Sequence, residues 1–518
     1  MVAHFPSKKK LGVRFPLKKS DPEIQRNTMF HSLIFNVEGR SLSRNLGPYR
    51  IAHWLRNQSW DVEVIDYALH WKLEELQELV ESRVTKNTKF FGFSFLFGEV
   101  TETIQTFVVW LKLTYPNIPV ISGSSTMPSK HIQVDYHIWG FGEMAIDVLL
   151  KYLFSNGEKP KSSTMKGINV INGMDYPAYP LQDYSVAYQD RDFIQPWEFL
   201  AIETGRGCKF KCSFCTFPLL GVKEDHSTSA EGFEREVRDN WERWGVKNYL
   251  IAEETFNDRP EKIAKFAKVV SGLDFDPWFS AFIRVDLLLT RKEERHMLKE
   301  MNVLGQFYGV ESFNLPTAKA VRKGMAPERV KEGLLELKEF FSDSNKYRGT
   351  ISLIHGAPYE TLESLHTSLQ WLVDNWKDQA ARASPLAIPL DEASQRHSDL
   401  STSFAKHGYE PVHIDVLEKK HHNQPEALSS VKQVAHKNLL WDNGEMDVVD
   451  AYEFSSFFQR TLRENNFKKT TFALPEFSGI GSTLEDKLTH TVNQVHSWQK
   501  EEFEWYELYK FKKLCWRK

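Results

Sequence analysis

The chain has 518 residues, with 66 basic against 69 acidic side chains for a net charge of −3, 41% apolar residues and 4 cysteines. At roughly 100–200 residues per domain this length implies about three or four domains, and the charged and aromatic content is that of a packed globular protein, which excludes disordered and fibrous classes. Near-balanced charge gives no general attraction to nucleic acid or anionic membrane, and the most apolar stretch, 90–97, is far shorter than the roughly 20 residues of a spanning helix. No hydrophobic leader follows the first Met, so a cytoplasmic protein with no membrane partner and no strong nucleic-acid signal is expected.

Residues 1–27 carry Lys8, Lys9, Lys10, Arg14, Lys18 and Lys19 among few apolar residues and read as a basic flexible tail. From 28 to 156 strand and helix alternate. Apolar runs at 31–35, 62–65, 90–97 and 119–123 read as strands, and the helical periodicity of 49–57, 73–84 and 101–113 places helices between them. Such alternation builds a doubly wound parallel sheet. Residues 157–196, rich in Gly, Pro, Ser, Asp and Tyr, read as a linker. Alternation resumes over 197–390, with strands at 198–203, 248–252, 278–283, 305–310 and 350–354, and a sixth near 385–388. The helices between them are expected at 229–244, 259–270, 291–301, 327–341 and 361–376. Five or six such units predict a partial (β/α)6 barrel whose chemistry sits on loops after the strands. Residues 391–518 turn polar and irregular, then end in an aromatic-rich helix over 484–514, an α-rich carboxyl-terminal cap.

Cysteine usage is the sharpest signal. Four cysteines cannot form a disulfide framework for a chain of this size, yet Cys208, Cys212 and Cys215 fall within eight residues, on a glycine-flanked loop directly after a predicted strand. Thiolates three and four positions apart on a loop can converge on one metal centre. Zinc sites prefer paired Cys-x-x-Cys elements or a fourth Cys or His, and the nearest histidine is His226. Three sulfurs without an obvious fourth point to an iron–sulfur cluster with one open iron. A non-catalytic redox or sensor cluster and a structural zinc site stay open as alternatives.

The segment Cys208-Lys-Phe-Lys-Cys212-Ser-Phe214-Cys215 resembles the Cys-x-x-x-Cys-x-aromatic-Cys signature of the radical S-adenosylmethionine (radical SAM) superfamily. The resemblance implies a four-iron four-sulfur cluster on Cys208, Cys212 and Cys215, with SAM chelating the fourth iron and Phe214 near the adenine. It implies reductive cleavage of SAM to a 5′-deoxyadenosyl radical that abstracts hydrogen from an organic substrate, the electron coming from a flavodoxin- or ferredoxin-like donor. Later motifs are similar to those of the family. Glu253 and Glu254, after the second barrel strand, correspond to residues that engage the SAM amino group; Arg284, in Arg284-Val-Asp286, would meet its carboxylate. Glu311 and Ser312, in Gly-Val-Glu-Ser, would approach the ribose, and Gly356, in Gly356-Ala-Pro358-Tyr-Glu360-Thr361, would border the adenine.

Residues 28–156 resemble the cobalamin-binding domain that precedes one large radical SAM branch, on Ser94-Phe-Leu96, Ser122-Gly123-Ser124 and Gly140-Phe-Gly142-Glu143. This adds Ser94, Gly123, Gly142 and Glu143 as expected cofactor contacts. Asp175-Tyr-Pro177-Ala-Tyr-Pro180 in the linker also fits that branch. Two departures stand out. The branch members that ligate cobalt from below carry a histidine after the first strand, and 36–47 has none; the usual Gly-Gly after the fourth strand is Gly123-Ser124 here. With cobalamin, methyl transfer to an unactivated carbon is implied; without it, rearrangement or oxidation. Only Cys515 remains outside the loop, too few for a second cluster. The pair His421-His422 reads as solvated surface, Trp441 to Asp447 as the opening of a helix, and Trp498, Phe503, Trp505, Tyr506, Tyr509 and Phe511 as a packed face. The carboxyl-terminal region is expected to cover the mouth of the barrel. A small-molecule or locally docked substrate completes the expectation.

Overall fold

In a computed structural model of the chain, 30–37, 44–95, 100–124, 132–177, 185–215, 227–390, 398–435, 438–468 and 484–501 are described. The first sheet holds β1 (His31–Asn36), β2 (Asp61–Ile65), β3 (Thr88–Phe95), β4 (Val120–Ser124), β5 (Tyr136–Trp139), β6 (Ser163–Met165) and β7 (Ile168–Asn172), in the order β2-β1-β3-β4-β5-β7-β6. All pairs are parallel except β6 with β7. Helices α1 (Leu46–Arg56), α2 (Leu73–Arg83), α3 (Glu102–Thr114) and α4 (Glu143–Phe154) cover it. Each starts where a side chain or charge favours the free N–H groups: Asn45 and Thr101 accept from Gly47 and Ile104, and Glu143 stands in the first turn of α4. One face of the sheet, with Phe35, Phe93 and Phe107, forms its own core under α2 and α3. The opposite face, with Ile34, Val64 and Ile121, merges into the core of the second domain.

Two elements of this sheet differ from expectation. β5 forms within 132–142, where only a motif was read. The segment 157–196, read as a linker, contributes β6 and β7, joined by Lys166 and Gly167 at φ 50° and 82°. Two successive positive φ values are the signature of a type I′ hairpin turn, and Lys-Gly is not among the dipeptides that announce one.

The second sheet is six-stranded and wholly parallel, in the order β13-β12-β11-β10-β9-β8. It comprises β8 (Phe199–Ile202), β9 (Asn248–Ile251), β10 (Trp278–Ile283), β11 (Val303–Glu311), β12 (Arg348–His355) and β13 (Ala380–Pro385). Its helices are α5 (Ala230–Trp244), α6 (Pro260–Ser271), α7 (Val285–Thr290), α8 (Glu293–Glu300), α9 (Leu315–Ala320), α10 (Pro327–Phe340) and α11 (Leu362–Asn375). β8 and β13 are the edges, so the barrel is partial. The last strand lies five residues before its predicted place because Ala-Ala-Arg-Ala-Ser-Pro lacks the β-branched residues that mark a strand.

Carboxyl-terminal to β13 the described residues are mostly helical, in keeping with the α-rich reading: α12 (Ile414–Lys420), α13 (Pro425–Val434), α14 (Val448–Glu464) and α15 (Leu484–Glu501). Asp447 caps α14, accepting from the N–H groups of Val449 and Asp450, so the segment 441–447 opens a helix as read. α14 lies along β12 and β13, with Ser455 Oγ 2.8 Å from His355 Nδ1. α15 returns to the first domain: Gln499 Nε2 donates to Val64 O at 3.0 Å and Arg83 Nη2 donates to Gln499 O at 2.6 Å. Trp498 is buried there, while the aromatic residues at 503–511, Cys515 and the basic tail lie outside the described residues. Among the described residues no helix is long and apolar enough to cross a membrane.

Candidate active site at the cysteine loop and the interdomain cavity

β8 ends at Ile202 and the chain passes through Thr204-Gly-Arg206-Gly207 into the cysteines. Gly207 has φ 88°, a conformation that only glycine adopts without strain, and it turns the loop over the carboxyl end of the sheet. The loop is braced from below: Ser213, fully buried, donates from Oγ to Ala320 O at 2.9 Å and accepts at its carbonyl from Leu400 N at 2.9 Å. Cys208, Cys212 and Cys215 form no disulfide and are half-buried. Cys208 Sγ lies 3.5 Å from Thr255 Oγ1, and Arg284 Nη1 lies 3.5 Å from Cys212 Sγ. Burial, with smaller help from Glu254 and Cys212, raises the Cys208 pKa. Three thiols outside any disulfide on one braced loop, with a guanidinium beside one sulfur to offset thiolate charge, fit a cluster with three cysteine ligands.

The other expected SAM contacts surround this loop, most of them already partnered. Glu253 is buried, ion-paired with Lys262 and accepting from Thr204 Oγ1 at 2.7 Å. Burial works to lower the Lys262 pKa, but Glu253 and Asp258 outweigh it and keep the ammonium charged. Glu254 instead lines a cavity between the two domains. Arg284 is held by Asp286 at 2.7 Å and lies 3.9 Å over the Phe210 ring. Glu311, at φ 70°, pairs with Lys323 at 3.1 Å, and that ammonium stands 5.9 Å from the Phe214 ring. Ser312 donates to Glu360 at 2.6 Å, and burial raises the Glu360 pKa to about 8. Gly356 has φ 84°, and a Cβ there would lie 2.3 Å from Trp441, so its open side is filled by the carboxyl-terminal region.

The interdomain cavity, about 300 Å³, brings together all four residues expected from the first domain: Ser94, Gly123, Gly142 and Glu143. It opens at the carboxyl ends of β1, β3 and β4, where the strand order reverses between β1 and β3, the place at which doubly wound sheets bind ligands. Above Gly123 a Cβ would find only Ile138 O, at 3.6 Å. The floor opposite is made by Glu203, Arg206, Ala252 and Glu254 of the second domain.

Four charged residues close that floor, and three of them have no motif around them. Arg206 pairs with Glu143 at 2.5 Å and Glu203 at 2.6 Å; Arg50 pairs with the same two carboxylates at 3.1 and 2.7 Å. Burial works to raise the Glu143 pKa, but Arg206 and Arg50 outweigh it and hold it at about 2. The motif residue Glu143 therefore ties α1 and α4 to the loop two residues before Cys208. No local signal could have revealed this, since Arg50 and Arg206 lie far from Glu143 in the chain.

His421 departs from its surface reading. It is buried, with Nε2 2.6 Å from Asp447 Oδ2, whereas His422 is exposed. His421, Asp447 and Asp450 converge closely enough to hold an ion, but Lys420 Nζ already occupies Asp447 Oδ2 at 2.8 Å.

Fold and loop together define an α/β protein with a three-cysteine cluster loop on a partial barrel behind a doubly wound domain. Residues 202–372 match the family model of the radical SAM superfamily, so this stretch is a radical SAM domain, and the doubly wound domain lies ahead of it. An uncharacterized methyltransferase, PH0819, of Pyrococcus horikoshii is 22% identical over 192 residues, which cover 37% of this chain and 40% of that relative. The chain thus matches less than half the length of this curated relative. Among solved structures, the radical SAM methyltransferase TsrM from Kitasatospora setae, with cobalamin and a [4Fe-4S] cluster bound, superposes with a TM-score of 0.59 at 12% identity, over 74% of this chain and 80% of that one. The cobalamin-dependent SAM radical enzyme OxsB, with aqua-cobalamin bound, gives 0.52 at 14% identity, over 92% and 67%. At these identities the likeness is one of fold.

Proposed function

We propose that this chain is a radical SAM enzyme that holds a four-iron four-sulfur cluster on Cys208, Cys212 and Cys215, binds cobalamin in the interdomain cavity, and transfers a methyl group to a small organic substrate. The observation that carries this reading is the cavity itself: residues singled out at the ends of β3 and β4 and at the start of α4 line one space, and its far wall is the strand end and loop that lead into the cysteines. When bound, the cluster supplies the electron for reductive cleavage of SAM and cobalamin supplies a carrier for the methyl group. Arg284 positions charge beside Cys212, Glu254 faces the cavity where an ammonium would be attracted, and the Arg50, Glu143, Arg206 and Glu203 set closes the space between the domains.

In this reading 28–156 with the β6–β7 hairpin forms the cobalamin domain, 197–390 the radical SAM barrel and 391–518 the carboxyl-terminal region, after a basic tail at 1–27. The enzyme acts in the cytoplasm and takes electrons from a flavodoxin- or ferredoxin-like donor. Anaerobic reconstitution of the full chain followed by iron and cobalt analysis tests it. The expected result is about four irons, bound cobalt, and reductant-dependent SAM consumption. Changing all three cysteines to Ala should abolish iron binding and SAM consumption together; retention of either overturns the proposal. Iron with SAM cleavage but no cobalt would instead favour rearrangement or oxidation.

A further inference from the structure

The inner face of the second sheet carries a cation that the site above does not use. Side chains alternate across this sheet. Phe279 packs on Phe233 of α5, with ring centroids 5.8 Å apart, and a Cβ on Gly349 would meet Trp376, so these positions face the helices. A Cβ on Gly305 would meet Trp278 and Ser280, so those positions face inward. Strand register extends the inner face: Phe282 pairs with Phe307, and Gly309 pairs with Ser352, which pairs with Arg382. Ile283 pairs with Tyr308, which places Arg284 level with Gly309. Arg284, Gly309, Ser352 and Arg382 therefore form one row across four strands, and the first of them touches Cys212. Adjacent strands lie about 4.8 Å apart, so roughly 14 Å separates the two ends of the row.

Arg382 is exposed, and among the described residues no carboxylate pairs with it. Its guanidinium stands 5.5 Å from the centroid of Phe307, which packs edge-on against Phe282 at 5.1 Å. The arrangement is a planar cation fork steadied on an aromatic ring, with Ser352 beside it in register and the Phe282 and Phe307 rings next to it; over Gly309, toward the cysteine loop, stands the Glu311–Lys323 ion pair. An arginine fork matches an oxyanion in two parallel hydrogen bonds, and stacking on a ring preorganises it for them.

We propose that Arg382 anchors the substrate through an oxyanion, a carboxylate or a phosphate, with the apolar body of the substrate lying on Phe282 and Phe307 and its far end directed at the cysteine loop. This rests on the radical SAM reading and adds the chemical class of the substrate. A molecule spanning part of the row would be held at one end by Arg382 and present a carbon near the other, where Arg284 marks the cluster loop.

The test uses the reconstituted full chain and three probes of similar shape: phenylacetate, phenyl phosphate and neutral phenylacetamide. Binding is measured by calorimetry or saturation-transfer NMR for the parent protein, Arg382→Ala, Arg382→Gln and Arg382→Lys, with far-UV circular dichroism and iron content verifying each variant. At least one anion should bind tenfold or more tightly than phenylacetamide, the preferred anion identifying carboxylate or phosphate. Arg382→Ala and Arg382→Gln should abolish the preference and Arg382→Lys retain part of it. Equal binding of all three probes, no binding of either anion, or a preference that survives Arg382→Ala overturns the proposal. The probes need no turnover, so this failure is distinct from failure of the radical SAM reading, which the cysteine variants report through iron and SAM consumption.

Discussion

Glu143 shows how a residue found by motif can carry more than its motif implies. Its carboxylate is buried between Arg50 and Arg206, and removing it leaves two guanidinium groups sharing Glu203. Breaking a buried pair by deleting one partner costs about 3–5 kcal/mol. Glu143→Gln is therefore expected to lower the unfolding free energy by about 3 kcal/mol at pH 7, read by chemical denaturation. The sign with pH follows from a folded pKa of about 2, below the ordinary glutamate value of 4.5. A carboxyl group depressed on folding contributes stability that is fully present above its unfolded pKa and is lost as pH falls through the folded one. The gap between parent and variant should thus be constant above about pH 5 and close progressively toward pH 2; a gap that widens on acidification would contradict the ion-pair assignment. Cys208, Cys212 and Cys215 were legible from spacing alone because their chemistry requires nearness in sequence. The links from Arg50 and Arg206 to Glu143 and from Lys262 to Glu253 were not, because those partners meet only after elements from different parts of the chain pack together.

Whole elements were legible where their pattern is local. Pro260 and Pro327 at helix starts, Ser229 and Thr361 as caps, and Gly245 closing α5 at φ 72° place helix ends within a residue or two of where the sequence puts them. β13 was misplaced because Ala-Ala-Arg-Ala-Ser-Pro is a poor strand former, ordered by the neighbour it pairs with rather than by propensity, and the β6–β7 hairpin was missed because its Lys166-Gly167 turn carries none of the usual hairpin dipeptides. Gly356 belongs at this scale too. At φ 84° with Trp441 filling the side where a Cβ would stand, it joins β12 to the carboxyl-terminal region. A side chain in this left-handed conformation costs about 1–3 kcal/mol before the clash is added. Gly356→Ala should lower stability by at least about 2 kcal/mol in denaturant titration, and Trp441→Ala in the same chain should recover the part due to the clash while leaving the backbone part. No recovery would show that Trp441 does not fill that side.

For the whole molecule, the carboxyl-terminal region divides its contacts: Leu400 N donates to Ser213 O of the cysteine loop, and Tyr409 and Trp441 pack at Gly356 after β12, while the longer helices α14 and α15 lie away from the mouth of the barrel. α14 covers β12 and β13 from outside, and α15 crosses back to the first domain, where Trp498 packs on Phe193 at 5.5 Å and Thr491 Oγ1 accepts from Trp197 Nε1 at 2.9 Å. A chain ending at 483 should therefore lose protection in the first domain and the connecting segment before the barrel. Hydrogen exchange should report faster opening at 61–65 and 191–200 with little change at 278–283; uniform protection would contradict the clasp.

Sequence alone determined the two rounds of strand and helix, the partial barrel, the cluster loop and the order of the motifs after each strand, because hydrophobic periodicity, caps and ligand spacing are properties of neighbouring residues. Tertiary structure decided what those motif residues do: that Glu143 serves an interdomain ion network, that Glu253 is held by Lys262 while Glu254 faces the cavity, that Gly356 is closed by Trp441, and that Arg382 shares a row with Arg284. Such assignments depend on strand register and on which surfaces meet, and a buried charge takes whichever partner the fold brings within reach, however far apart the two stand in the chain.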